Sequence, residues 1–269
     1  MMKVVQRKVG GLLSPTFPQN RNVLLKTINI FTVSFFALCF CSCTDLNPEI
    51  SSEALVPIPF QQVTLSDSFW LPHLNTQKQT LVPFALERTQ PAVENLRKTG
   101  NFLKGIPDEL PFPHRFVASD LYKVMEGAAY LLILERDPVL ERQLDQIIDY
   151  IAEAQQDDGY HYESHITGVS SNASQWGGGG MGDRPYSWVV HSHELYNMGH
   201  MYEGAIAYYQ ATGKDKWLKV AEKNARHINR VFFEGDPNYN NGIPVNQAPG
   251  HQEIELALVK LYRVTGDTL

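Results

Sequence analysis

The sequence predicts an all-α fold assembled from helical hairpins. Three corners carry the prediction: Leu134-Glu135-Arg136-Asp137-Pro138, Ala211-Thr212-Gly213-Lys214-Asp215 and Val264-Thr265-Gly266-Asp267 each follow an apolar helical stretch with a polar turn and a Gly or Pro stop. The stretches leading into the corners, such as 124–134 and 254–262, are apolar nearly all round, which marks helices buried on most sides. A stretch leaving a corner, such as 215–224, is amphipathic and suits a surface layer. This inner and outer alternation fits both a closed toroid of hairpins and an open helical solenoid.

In chain order, residues 1–43 read as an export signal. Lys3, Arg7, Lys8, Arg21 and Lys26 precede the apolar run 28–40, with no acidic residue among the first 28. The run is short of the roughly 20 residues that span a bilayer. Ser42-Cys43-Thr44-Asp45 resembles a bacterial lipoprotein cleavage site, with Cys43 as the lipid acceptor. An ordinary cleaved signal peptide and a signal anchor stay open as alternatives. Residues 44–59 are polar and Pro/Ser-rich, a tether. Val63 to Trp70 alternates weakly and reads as a short strand or extended lead-in. Six helices are then expected: 77–98 with an interruption at Pro83, 119–135 capped by Ser119-Asp120, 137–155 opened by Asp137-Pro138, 191–212, 215–233 and 251–265. The long loops 156–190 and 234–250 separate them, and loops of that length are often functional. The glycine run 177–180 reads as a flexible lid or bulge, since no strand precedes it and no Lys-Ser/Thr follows it.

Composition narrows the function. The 269 residues are 43% hydrophobic and 19% charged, with a formal charge of −6, so the chain is globular and lacks the basic surface that nucleic acid needs. Its three cysteines are Cys39, Cys41 and Cys43, which leaves no disulfide framework, thiolate metal site or cysteine nucleophile in the body of the chain.

Three constellations could carry chemistry. In 191–203, a continuous helix would set His193, Asn197 and His200 within about 60° of one another, flanked by Tyr196 and Glu203. Neutral imidazoles both donate and accept, which suits a polyhydroxy ligand, although buried structural histidines would give the same pattern. A zinc site through His193, His200 and a carboxylate is a further alternative, without the His-Glu-x-x-His spacing. In 249–255, His251 is expected in the first turn of a helix, where the dipole disfavours imidazolium. Glu253 and Glu255 lie about 200° apart there, and Glu253 also suits a capping role. In 119–126, Asp120, Lys123 and Glu126 are spaced for structural ion pairing. Glu194, Glu203, Glu253 and Glu255 are the carboxylates from which an inverting pair could be drawn, at unknown separation.

The stretches 119–130, 193–200 and 250–263 together resemble the β-L-arabinofuranosidase family, glycoside hydrolase family 127, from about residue 60 to the end. The resemblance implies an (α/α)6 toroid, of which this chain holds the first half, residues 60–269. It also implies retaining action on terminal L-arabinofuranose or related sugars of plant oligo- or polysaccharides. A cysteine nucleophile held on zinc by further cysteines and a glutamate, and a glutamate acid/base, come with it. Those residues are expected beyond Leu269, so the chain alone is expected to be inactive. Carried over by motif, His200 and His251, and less directly His193, contact the sugar. A glycan-binding lipoprotein and a helical interaction protein without a sugar site are the rival readings. Together these readings place the protein outside the cytoplasm, in a bacterial cell envelope, anchored to the membrane through lipid on Cys43.

Overall fold

The structure is a computed structural model that describes residues 58–170 and 180–268. The export signal, Cys43, most of the tether and residues 177–179 of the glycine run lie outside the described residues.

Residues 63–67 form no regular element, and no strand occurs among the described residues. The Asp67 carboxylate accepts from the amides of Trp70 (2.6 Å) and Phe69 (2.9 Å), which starts the first helix and lowers the Asp67 pKa. Helix α1 (Trp70–Thr76) passes through a π turn (Gln77–Leu81) into α2 (Val82–Arg88). The expected interruption at Pro83 is therefore misplaced. Pro83 lies in the first turn of α2, directly after the π turn, where a missing N–H is tolerated. The break falls instead at Thr89, and Pro91 opens α3 (Gln90–Leu103).

Helix α4 (Val117–Leu134) begins two residues before the expected cap. Ser119 lies inside its first turn, and its hydroxyl donates back to the Phe116 carbonyl at 2.7 Å. Helix α5 (Pro138–Glu153) starts as the sequence predicts, with the Asp137 carboxylate accepting from the amides of Val139 and Leu140. The expected loop 156–190 is not an open connection where it is described. It contains the short helix α6 (Glu163–Ile166) and the start of α7 (Val189–Ser192), and it buries Tyr160, Tyr162 and Tyr186.

Helix α8 (Glu194–Thr212) is buried along almost its whole length, and α9 (Lys216–Asn229) is amphipathic with Trp217 and Asn224 fully buried. A π turn (Arg230–Glu234) follows α9, and α10 (Glu253–Thr265) closes the described chain. Gly213 and Gly266 end α8 and α10 in the left-handed conformation, as the corners predict.

The helices form two layers. In the inner layer α4 packs between α2 and α8, and α8 packs between α4 and α10. Helices α3, α5 and α9 adjoin one another behind it. Asn224 ties the layers together: it accepts from the Tyr202 hydroxyl (2.7 Å) and donates to the Gly159 carbonyl (2.8 Å). Helix α10 is less buried than its composition suggests. Ile254, Ala257 and Leu261 face the core, whereas Leu256, Val259 and Tyr262 are about half exposed; among the described elements α8 is the main one packed against the helix.

Close approach of the inner layer depends on Gly204. A Cβ there would lie 2.5 Å from the buried Trp217 ring and 3.2 Å from the Tyr122 carbonyl. Gly127, also mid-helix, is exposed with open space around it. Gly204→Ala should therefore lower stability by about 1–3 kcal/mol through overpacking. Gly127→Ala should gain up to about 1 kcal/mol from helix propensity. Urea unfolding midpoints measure both, and an unchanged midpoint in Gly204→Ala would refute the packing account.

Candidate functional site

The site begins with a kink. The stretch 191–212 is not one helix: His193 stands between α7 and α8 with φ 61° and ψ 19°. A left-handed conformation costs a residue with a Cβ roughly 1–2 kcal/mol, so something must hold it. The Glu194 carboxylate accepts from the hydroxyls of Ser192 and Tyr160, each at 2.5 Å, and from the Tyr186 amide at 3.0 Å. The Tyr162 hydroxyl donates to the Ser192 carbonyl at 2.6 Å, and the Asn197 amide group to the His193 carbonyl at 2.7 Å. The kink is thus fixed from both sides.

These bonds define the roles of two candidates. Glu194 is buried and fully engaged, so it is structural. Asn197 does not join His193 and His200 on a wall, contrary to the helical-wheel expectation. Its side chain is buried, donating to the Arg115 and His193 carbonyls and accepting from the Ser119 amide.

The three predicted histidines do come together, around Tyr196. The Tyr196 ring lies 5.7 Å from His193, 4.6 Å from His200 and 5.0 Å from His251, centroid to centroid. His193 and His251 are 5.3 Å apart, and Phe116 extends the row beyond His193. His251 reaches this position from outside α10: the helix starts at Glu253, so the first-turn dipole argument does not apply to it. His193 Nδ1 sits 2.8 Å from the His191 carbonyl, which can only accept. Nδ1 therefore carries the hydrogen, and Nε2 is left as an acceptor.

Sequence reasoning undervalued Lys123 and Tyr196. Lys123 Nζ donates to the Tyr196 hydroxyl at 2.7 Å and lies 3.7 Å from Asp120, but it makes no pair with Glu126. Only half of the expected ion-paired trio forms. The Tyr196 hydroxyl hydrogen remains to be donated elsewhere. The signal for this contact is non-local, since α4 and α8 meet only in the folded chain.

Beneath the row lies a polar cluster. His200 Nδ1 is 3.2 Å from Glu253 Oε1 and 3.8 Å from Glu203 Oε2, and Lys260 forms an ion pair with Glu203 Oε1. Gly199 makes room for Glu253, whose Cγ would be 2.5 Å from a Cβ at that position. Burial, reinforced by Lys123 and Lys260, lowers the His200 pKa to about 4 and keeps the ring neutral near pH 7. Burial and the adjoining Glu203 raise Glu253 to about 7. Burial, followed by Glu203, also raises Glu126.

The partner of Glu253 is thus Glu203, not Glu255. One ligand atom from each of His200, Glu203 and Glu253 lies within 4.8 Å of the others, which is closer than the roughly 6.5–9.5 Å between the carboxyls of an inverting pair. The zinc alternative through His193 is not assembled, because His193 is not in this group. The thiolate-rich zinc set implied by resemblance has no counterpart among the described residues, which contain no cysteine.

Comparison with known proteins follows the same lines. Residues 62–269 match the family model described as β-L-arabinofuranosidase, GH127 catalytic domain. A non-reducing end β-L-arabinofuranosidase of Bifidobacterium longum subsp. longum is 41% identical over 153 residues, 56% of this chain and 21% of that protein. Ara127N, a GH127 β-L-arabinofuranosidase from Geobacillus stearothermophilus T6, superposes with a TM-score of 0.61 at 34% identity, covering 76% of this chain and 30% of that one. The GH127 β-arabinofuranosidase BT3674 superposes with a TM-score of 0.66 at 34% identity, covering 78% of this chain and 32% of that one. The chain therefore spans between a fifth and a third of the length of these relatives.

Proposed function

The chain belongs to the β-L-arabinofuranosidase family of glycoside hydrolases, GH127, and from that premise we propose that it supplies one wall of the site that holds a terminal L-arabinofuranose. The observation that carries the reading is the convergence of His193, His200 and His251 on Tyr196. Each group suits a furanose. Nε2 of His193 accepts from a sugar hydroxyl, the Tyr196 hydroxyl donates, and neutral His200, with Nδ1 buried against Glu253, offers Nε2. The ring faces of Tyr196 and Phe116 suit the apolar C–H edges of a sugar.

The substrate in this reading is a plant-derived oligo- or polysaccharide ending in L-arabinofuranose or a related sugar, and the family reaction is retaining. Its nucleophile, zinc and acid/base are assigned outside the described residues, so residues 62–269 bind sugar without cleaving it. The lack of cysteine after Cys43 supports this division. Release of arabinose from an arabinofuranoside by the purified chain would contradict it.

Titration of the full chain with methyl β-L-arabinofuranoside tests the wall. His200→Ala should weaken binding about 10- to 100-fold, the loss of one or two hydrogen bonds from a half-buried site. Unchanged affinity in that variant, or no binding by the unsubstituted chain, would remove the support for this reading.

We also propose export and anchoring in a bacterial cell envelope through lipid on Cys43. The basic stretch, the apolar run 28–40 and Ser42-Cys43 support it. Metabolic labelling with an alkyne palmitate should tag the protein and fail in Cys43→Ala, and label that persists in the variant would refute Cys43 as the acceptor.

A further inference from the structure

The cluster below the histidine row holds more negative than positive charge. Helix α4 contributes Lys123, Glu126 and Tyr130, α8 contributes Tyr196, His200 and Glu203, and α10 contributes Glu253 and Lys260, with His251 just before it. Lys123 is engaged by Tyr196 and Asp120. Among the described residues, Glu126, Glu203 and Glu253 therefore share a single remaining ammonium, Lys260, which contacts Glu203. The Tyr130 hydroxyl donates to Glu126 at 3.1 Å without adding charge.

Like carboxylates held this close do not all ionise, and the deficit is met by a proton or by a cation. Lys260 already occupies Glu203 Oε1, which favours the proton. A second observation locates its effect. His200 Nδ1 and Glu253 Oε1 are both buried, 3.2 Å apart, and neither has a hydrogen-bond partner of good alignment. Two lone pairs facing each other at that distance would repel. A hydrogen on Nδ1 turns the contact into an attraction.

We propose that Glu253 is a positioning residue that holds one proton in common with Glu203 and whose Oε1 keeps His200 in the tautomer with hydrogen on Nδ1. Protonated Glu253 donates to Glu203, its Oε1 accepts from His200 Nδ1–H, and His200 Nε2 is left as an acceptor toward the pocket. The raised pKa of Glu253 agrees with this arrangement. Assigning His200 to a sugar pocket rests on the function proposed above. The shared proton does not, and its test uses no ligand.

The experiment is NMR of the full chain with labelled Glu carboxyls and His nitrogens, titrated between about pH 5 and 9, a range that spans the ordinary histidine value. One Glu carboxyl should titrate near pH 7 and be missing in Glu253→Gln. His200 should carry its hydrogen on Nδ1 on both sides of that midpoint, because Glu253 Oε1 accepts whether or not the shared proton is present. In Glu253→Gln the Nδ1–H form should persist at every pH, because the amide keeps both the donor and the acceptor. Lys260→Met should move the midpoint upward. The proposal is overturned if no Glu carboxyl titrates between about pH 6 and 8, or if His200 carries its hydrogen on Nε2. It is also overturned if a chelator shifts the same resonances, since a bound cation would then fill the role given to the proton. Absence of arabinofuranoside binding would refute the proposed function and leave this result standing.

Discussion

The bend that brings His193 into the site is anchored by one buried carboxylate. Glu194 gathers the Tyr160 and Ser192 hydroxyls and the Tyr186 amide, with His165 Nδ1 at 3.1 Å. Two of the residues it fixes, directly or through a neighbour, have positive φ: Tyr186 at 57° and His193 at 61°. Both carry a Cβ, so both conformations cost free energy that local sequence does not return. Hydrogen bonds to a buried charged acceptor, on the order of 1.5–3 kcal/mol each, are large enough to offset them.

The kink places His193 against Tyr196 and His251 instead of on the next turn of α8, and the carboxylate also draws Tyr160 and Tyr186 inward. Tyr160 and Tyr162 are buried where the sequence suggests an open loop, and their hydroxyls reach Glu194 and the Ser192 carbonyl. The site is therefore built on packed elements. Asn95 supports it from the other side, exchanging two hydrogen bonds with the backbone of Phe112 and so fixing the strap that carries Arg115 and Phe116. Asn197 then takes the Arg115 carbonyl, closing the connection to α8.

What the sequence made legible was mostly local. The Asp137 cap and the glycine stops at Gly213 and Gly266 act within one helical turn, and all three appear where predicted. Burial of α4 and α8 was legible from their apolar character. Pro83 misled because a π turn absorbs it, and Ser119 misled because its amide is capped by Asn197, far away in sequence. His200, His193 and His251 were singled out in the sequence and do lie together. Their neighbours Lys123, Lys260 and Glu203 took on meaning only once α4, α8 and α10 met. A helical wheel also gave Asn197 the wrong role, because it assumes a helix unbroken at His193.

The central claim is that Glu194 assembles the histidine row by holding His193 in its left-handed conformation. Glu194→Gln, followed by imidazole and tyrosine ring resonances of the full chain, tests it most directly. The substitution keeps the shape but sets an amide N–H against donors, which should cost about 2–4 kcal/mol. The account predicts that His193 leaves the Tyr196 ring, with loss of its ring-current shift, while the helical content stays unchanged. Retention of the His193 and Tyr196 resonances at their original positions would contradict it.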